Sequence, residues 1–226
     1  VTVGDGSGIT SIRPEHRPAL REMTARMEMP SYLQYGAQTN EVRGGSLRHL
    51  RGSTVGLSAR LTREIASATL HSDSGTLLPI DIAGAHLTTR TLDADALLSL
   101  TFAWEDHLGL TNAAPWTLTF SPFEDQPPMP QIVKLPRAVS ILETEVLDVK
   151  VQSRDDFGIH QTGIALRLPD DPETEVERSN LIQTADTHAE TDIEHVFEIS
   201  PALLGIPAGE ILGFQAWTTD RFPGRN

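Results

Sequence analysis

The sequence predicts an all-β protein built from tandem β-sandwiches. Two observations carry that expectation. Alternating apolar stretches recur along the whole chain, separated by Gly-, Pro- and Asp-rich turns. A strand followed by an aspartate turn also returns about one domain length apart, at Asp5, Asp106 and Asp220. The first copy is Val1-Thr2-Val3-Gly4-Asp5-Gly6, the second Leu100-Thr101-Phe102-Ala103-Trp104-Glu105-Asp106, and the third Phe214-Gln215-Ala216-Trp217-Thr218-Thr219-Asp220.

Each element follows from local pattern. Residues 1–12 read as a strand, a Gly-rich turn and a short strand from Ile9 to Ile12, the closing hairpin of a preceding repeat. Between Pro18 and Pro30, Leu20, Met23 and Met27 have helical spacing, whereas Met23, Ala25, Met27 and Met29 alternate; a strand is preferred because it opens the next repeat. Val55, Leu57, Ala59 and Leu61 give a half-buried strand, and Ala66, Ala68 and Leu70 the next. Ser72-Asp73-Ser74-Gly75 is a hairpin signal leading to Leu78–Ile82. Leu87–Leu92 returns, Leu98, Leu100, Phe102 and Trp104 alternate strictly, and Trp116, Leu118 and Phe120 close the repeat.

Four prolines between Pro122 and Pro130 predict a short, stiff linker. The second repeat restarts at Ile132-Val133. It continues through Val146, Val149 and Val151, then Ile164, Leu166 and Leu168, then Ile193, Val196, Phe197 and Ile199. Ser200-Pro201-Ala202-Leu203-Leu204-Gly205 has the cap, proline and glycine stop of a one-turn helix. Ile211–Trp217 then runs to the Asp220 turn, and no counterpart of Trp116–Phe120 follows. Seven strands with turns every eight to twelve residues fit an immunoglobulin-like or fibronectin III-like sandwich. The expected organisation is a hairpin remnant at 1–19, a sandwich at 20–126, and a second at 127–226 lacking its last strand. An incomplete sheet leaves an edge that recruits strands, so strand exchange or homo-oligomerisation through open edges is expected, with residues 1–12 as the pairing segment.

Composition narrows function. With 18 Lys+Arg against 31 Asp+Glu, the net charge of −13 repels phosphate backbones and anionic lipid, which argues against nucleic acid and direct membrane contact. Cysteine is absent, which excludes disulfides and thiolate metal sites. No apolar run approaches the roughly 18 residues of a membrane-spanning helix.

No motif points to catalysis, and no cofactor is expected. The histidines at 16, 49, 71, 86, 107, 160, 188 and 195 are scattered singly and read as surface or turn residues. Gly4-Asp5-Gly6-Ser7-Gly8 lacks the lysine and spacing of a phosphate loop, and there is no GxSxG elbow. The acidic pairs Glu124-Asp125, Asp155-Asp156, Asp170-Asp171 and Asp93/Asp95 admit two roles. They could ligate Ca²⁺, with Glu124, Asp125, Asp155 and Asp156 the candidates, or cap their own turns as Asx residues. The turn role is favoured because Asp106 and Asp220 precede turns in the same way.

Several stretches carry a resemblance: Met29-Pro30-Ser31-Tyr32, Gly52-Ser53-Thr54-Val55-Gly56-Leu57, Asp125-Gln126-Pro127-Pro128, Arg154-Asp155-Asp156-Phe157-Gly158-Ile159 and Asp220-Arg221-Phe222-Pro223-Gly224-Arg225-Asn226. Over residues 20–226 the chain resembles the tandem immunoglobulin-like region of large bacterial membrane-anchored envelope proteins, a domain-of-unknown-function family of planctomycete-type and related bacteria. The resemblance implies a periplasmic or extracytoplasmic location, membrane segments elsewhere in the full protein, and no catalytic residue. The expected function is therefore a non-enzymatic spacer, adhesion or scaffold module whose partners are other protein domains or envelope proteins. The alternatives are a carbohydrate- or peptidoglycan-binding module using Trp116 or Trp217, and an adhesion array stiffened by Ca²⁺.

Overall fold

The computed structural model describes Gly4 and residues 10–168, 171–176 and 181–225. Within them the chain is all-β, with antiparallel sheets and a single four-residue α-helix. Contacts divide it into two compact units. The first takes the described residues up to Met27, Gln38–His49 and Thr54–Ser121; the second takes Glu28–Ala37, Leu50–Ser53 and the described residues from Pro122.

The first unit draws on eleven strands: β1 (Leu20–Glu28), β2 (Gln38–Glu41), β3 (Ser46–Leu50), β4 (Thr54–Leu61), β5 (Ile65–Ser72), β6 (Leu77–Leu78), β7 (Ile80–Ala83), β8 (His86–Thr89), β9 (Leu92–Asp93), β10 (Ser99–Asp106) and β11 (Trp116–Phe123). One sheet runs β2-β1-β4-β8-β7, with β9 also on β4, and the other runs β3-β11-β10-β5-β6. Both sheets feed one core. Met23, Ala25 and Met27 of β1 meet Val55, Leu57, Ala59 and Leu61 of β4, together with Leu70, Leu100, Phe102, Trp104, Leu118 and Phe120 from the second sheet. The period of two is what puts them there, since successive side chains on a strand face opposite ways. Each large side chain so buried contributes about 1.5–3 kcal/mol before the entropy of ordering it. The Trp104 indole N–H, also inside, donates to Pro18 O at 3.0 Å.

Three sequence expectations change here. Leu98 precedes β10 and is 68% exposed, so the inward series begins at Leu100. Ala66 faces solvent instead of the core, and the cause is a bulge. Glu105 pairs with Ser67 and Asp106 with Ile65, which leaves Ala66 as an extra residue on β5. The bulge turns Ile65 inward and resets the phase for Ala68 and Leu70. Thr10–Ile12 form no strand; the rest of the leading segment, residues 1–3 and 5–9, lies outside the described residues. Downstream of it, Arg63 holds the chain by donating to His16 O and pairing with Glu15.

Turn chemistry follows the sequence closely. Gly75 sits at φ 80°, and Ser72 N–H donates to Thr76 O across the hairpin. Asp106 Oδ1 accepts the N–H groups of Leu108 and Leu110 at 2.8 and 2.9 Å, while Oδ2 pairs with Arg63 Nη1 at 3.1 Å. Burial pushes the Asp106 carboxyl up, but the two backbone donors and the Arg63 charge outweigh it and hold the group below the usual aspartate range.

The second unit has β12 (Met129–Val133), β13 (Leu147–Arg154), β14 (Ile159–Leu168), β15 (Asp171–Val176), β16 (Ile182–Thr184), β17 (Asp192–Ile199), α1 (Pro201–Leu204) and β18 (Gly213–Asp220). One sheet runs β12-β13-β17; in the other, β14 pairs with β15, β16 and β18. Val149, Val151, Ile164, Leu166, Leu181, Phe197 and Ile199 form its core. Val146 and Val196 point outward instead. The proline-rich linker is shorter than expected, because β11 extends to Phe123 and β12 starts at Met129. Helix α1 ends at Gly205 (φ 70°), whose N–H caps the turn, while the Ser200 hydroxyl makes no capping bond. Three hydroxyls satisfy one another in the interior: Ser153 Oγ lies 2.7 Å from Thr162 Oγ1 and 2.6 Å from Thr218 Oγ1. Among the described residues β18 pairs with β14 alone.

Candidate functional site

The second unit gathers acid groups from segments far apart in sequence. Asp125 follows β11, Asp155 opens the turn between β13 and β14, and Asp220 ends β18. Each offers one carboxylate oxygen, and these oxygens lie within 4.8 Å of one another. The side chains of Asp125 and Asp220 are each only 2% exposed.

Local structure explains why each carboxylate is there. Asp155 Oδ2 accepts the N–H groups of Phe157 (3.0 Å) and Gly158 (2.6 Å), an Asx turn that aims the carboxylate back over its own backbone. Gly158 is required: its φ is 139°, and a Cβ there would lie 2.2 Å from His188 O. Asp220 repeats the device, with Oδ1 accepting Phe222 N–H at 2.9 Å. Asp125 has no such turn. Its Oδ2 accepts the Tyr32 hydroxyl at 2.8 Å, and Tyr32 is presented by a one-turn 3₁₀ helix, Ser31–Leu33, anchored by buried Leu33.

Arg225 is the guanidinium that meets these acids. Nη1 donates to Asp220 Oδ2 at 2.7 Å and stands 3.6 Å from Asp125 Oδ1, while Nη2 donates to the Asp125 carbonyl at 2.8 Å. Its guanidinium carbon lies 4.3 Å from the centroid of the Phe222 ring, and Tyr32 meets that ring edge-on at 5.4 Å.

Charge remains poorly compensated. Burial raises the Asp125 carboxyl above the usual aspartate range, making it a weaker acid, and the charges of Asp156, Asp220 and Asp155 raise it further against the Tyr32 hydrogen bond. Asp155 rises for the same leading reason, burial, despite its two backbone donors. Tyr32 is pushed well up by burial and by its contact with Asp125. Two oxygens, Asp125 Oδ1 and Asp155 Oδ1, are buried without a hydrogen-bond donor.

Of the four residues singled out as calcium candidates, Asp125 and Asp155 join the cluster. Glu124 is exposed and pairs with Arg51 at 3.4 Å. Asp156 is exposed and acts on the cluster through its charge alone. Asp220, read from the sequence only as a turn residue, is the third member. The available signal was its match to Asp155: both open an Asp-x-Phe turn in which the carboxylate caps the phenylalanine N–H. Asp170 lies outside the described residues. Asp93 caps Asp95 N–H at 3.1 Å, and Asp95 in turn meets His49 Nε2 at 3.1 Å.

That last contact corrects one reading. His49 is not a surface residue; it is 1% exposed on β3, where alternation with Leu47 turns it inward against Phe120. Elsewhere, a cavity of about 320 Å³ between β5, β10 and residues 111–115 contains Glu105 as its sole acid and no histidine. Trp116 packs against Phe102, with ring centroids 5.7 Å apart, and Trp217 lies against Gly163; both indoles are partly exposed. No protein-family model matches the chain, and no curated protein is similar to it.

Proposed function

We propose that the chain is a non-catalytic structural and protein-interaction module: tandem immunoglobulin-like, fibronectin III-like β-sandwiches from a bacterial cell-envelope protein, serving as spacer or scaffold. The observation that carries this reading is the build of each unit, two antiparallel sheets over an aliphatic core of its own. The conspicuous aspartates support it, because Asp93, Asp106, Asp155 and Asp220 all cap turns. Such domains work by presenting loops and edges to other proteins. Among the described residues the outer side of β18 pairs with no further strand and is one such edge, and neighbouring envelope proteins are the partners it suits. Among the described residues no helix is long and apolar enough to cross a membrane.

Protease shaving of intact spheroplasts tests location. The reading expects the chain to be degraded while a cytosolic marker survives, and protection of both would overturn it. Photo-crosslinkers placed along β18 then test contact. Adducts to envelope proteins from β18, and not from the exposed positions of β7, are the expected result.

A further inference from the structure

We infer that Asp125, Asp155 and Asp220 form a binding site for a hard divalent cation, with Ca²⁺ the fitting ion. A cluster of acids alone would not carry this, since carboxylates often gather on surfaces. Here the Asp125 side chain is 2% exposed, and its Oδ1, which stands 3.6 Å from the Arg225 Nη1 that bonds Asp220, accepts no hydrogen bond. Buried acceptors without donors are rare in folded proteins and call for a partner. Nearby, the hydroxyls of Ser153, Thr162 and Thr218 satisfy one another and need no ligand, whereas the free oxygens of Asp125 and Asp155 belong to carboxylates, whose burial costs more.

Charge leads to the same place. Three carboxylates face one guanidinium, that of Arg225, and Asp156 adds a further negative charge nearby. The three carboxylates and Arg225 together leave two negative charges uncompensated, and Asp156 adds to that excess, so a doubly charged cation is what the cluster lacks. The donor set consists of oxygens, which suits Ca²⁺ or Mg²⁺ and not the softer transition metals. Geometry favours the first of these. Ca²⁺ accepts irregular sets of oxygens, and two Ca²⁺–O bonds of about 2.3–2.6 Å reach oxygens up to roughly 5 Å apart, whereas Mg²⁺ demands a near-ideal octahedron and dehydrates reluctantly. The three oxygens, within 4.8 Å of one another, are in reach of one Ca²⁺ as they stand.

Three protein ligands leave the remaining positions to water. The site is therefore weak, with a dissociation constant of about 10⁻⁴–10⁻³ M, in the range of extracellular calcium modules. Bound there, the ion would tie together the segment after β11, the β13–β14 turn and the end of β18. It would also compete with Arg225 for Asp220 and Asp125. The site stands on these residues and not on what the module contacts.

Thermal melts of the whole chain in 10 mM CaCl₂, 10 mM MgCl₂ and chelator test it, together with Tb³⁺ luminescence sensitised through Tyr32. Calcium is expected to raise the midpoint by roughly 5 °C or more, chelator to reverse the rise, and calcium to displace terbium. Asp155→Asn, the least buried of the three and so the safest for folding, should lose the shift and the luminescence. Arg225→Gln should keep or enlarge both. A wild-type midpoint identical in calcium and chelator, with no displaceable terbium signal, would overturn the site. An undiminished shift in Asp155→Asn would overturn the ligand assignment, an equal shift in magnesium the choice of ion, and loss of the shift in Arg225→Gln the competition.

Discussion

The Tyr32 hydroxyl donates to Asp125 Oδ2 at 2.8 Å, joining a 3₁₀ turn to a carboxylate that is almost wholly enclosed. Among the described residues this is the one hydrogen bond to the Asp125 side chain, and it leaves Oδ1 without a donor. Tyr32→Phe deletes the donor while preserving the ring that meets Phe222 edge-on. Leaving a buried acceptor unpaired costs about 1–3 kcal/mol, and urea denaturation should show a loss of that size. A loss near zero would mean that water reaches Asp125.

Acidity should act on the two units in opposite directions. In the second unit, Asp125 and Asp155 hold protons more tightly than the usual aspartate value of 3.8, chiefly through burial. The native state therefore binds more protons than the unfolded chain just above that value. Stability falls as pH rises through the raised values and is regained as pH drops toward 3.8. In the first unit Asp106 is shifted the other way, so its contribution is present above 3.8 and disappears as pH falls below it. Hydrogen exchange read unit by unit, in chelator, should show the second unit better protected near pH 4.5 than at pH 7. Asn at both Asp125 and Asp155 should flatten that dependence.

Gly158→Ala should be among the most damaging single changes. The backbone is at φ 139°, and the added methyl would sit 2.2 Å from the His188 carbonyl, a main-chain atom that cannot swing aside. Strain of this kind costs about 1–3 kcal/mol for the dihedral alone, before the clash. Far-UV circular dichroism and urea melts should report a second unit that is unfolded or destabilised by more than that figure.

Phe102→Ala and Leu98→Ala separate the core from its margin. Both residues fall on one alternating stretch, but Phe102 is 1% exposed and Leu98 is 68% exposed. The first should cost about 3–5 kcal/mol and the second less than about 0.5 kcal/mol. Similar losses at the two positions would place the start of β10 further upstream.

The strands were readable because alternation is a local property. Val55–Leu61 and Leu100–Trp104 announce their inward faces without knowledge of their neighbours. The bulge at Ala66 was not readable, since an extra residue shows only against the partner strand, where Ile65 and Ser67 face consecutive residues of β10. His49 was missed for a related reason: an imidazole faces inward only if an acid such as Asp95 comes to meet it. The same holds for the acid cluster. Each Asx turn is legible in its own four residues, but the meeting of Asp125 with Asp155 and Asp220 depends on how β13, β14 and β18 are laid side by side.

Arg225 bonds the Asp125 carbonyl across a separation of 100 residues. A ribosome makes the chain from its amino end, so both early aspartates emerge long before the guanidinium that offsets their charge. Closing this part of the molecule must wait for its last turn to be synthesised. A nascent chain stalled ahead of Arg225 should remain open to proteolysis around Asp155 even when every strand of the first unit has already formed.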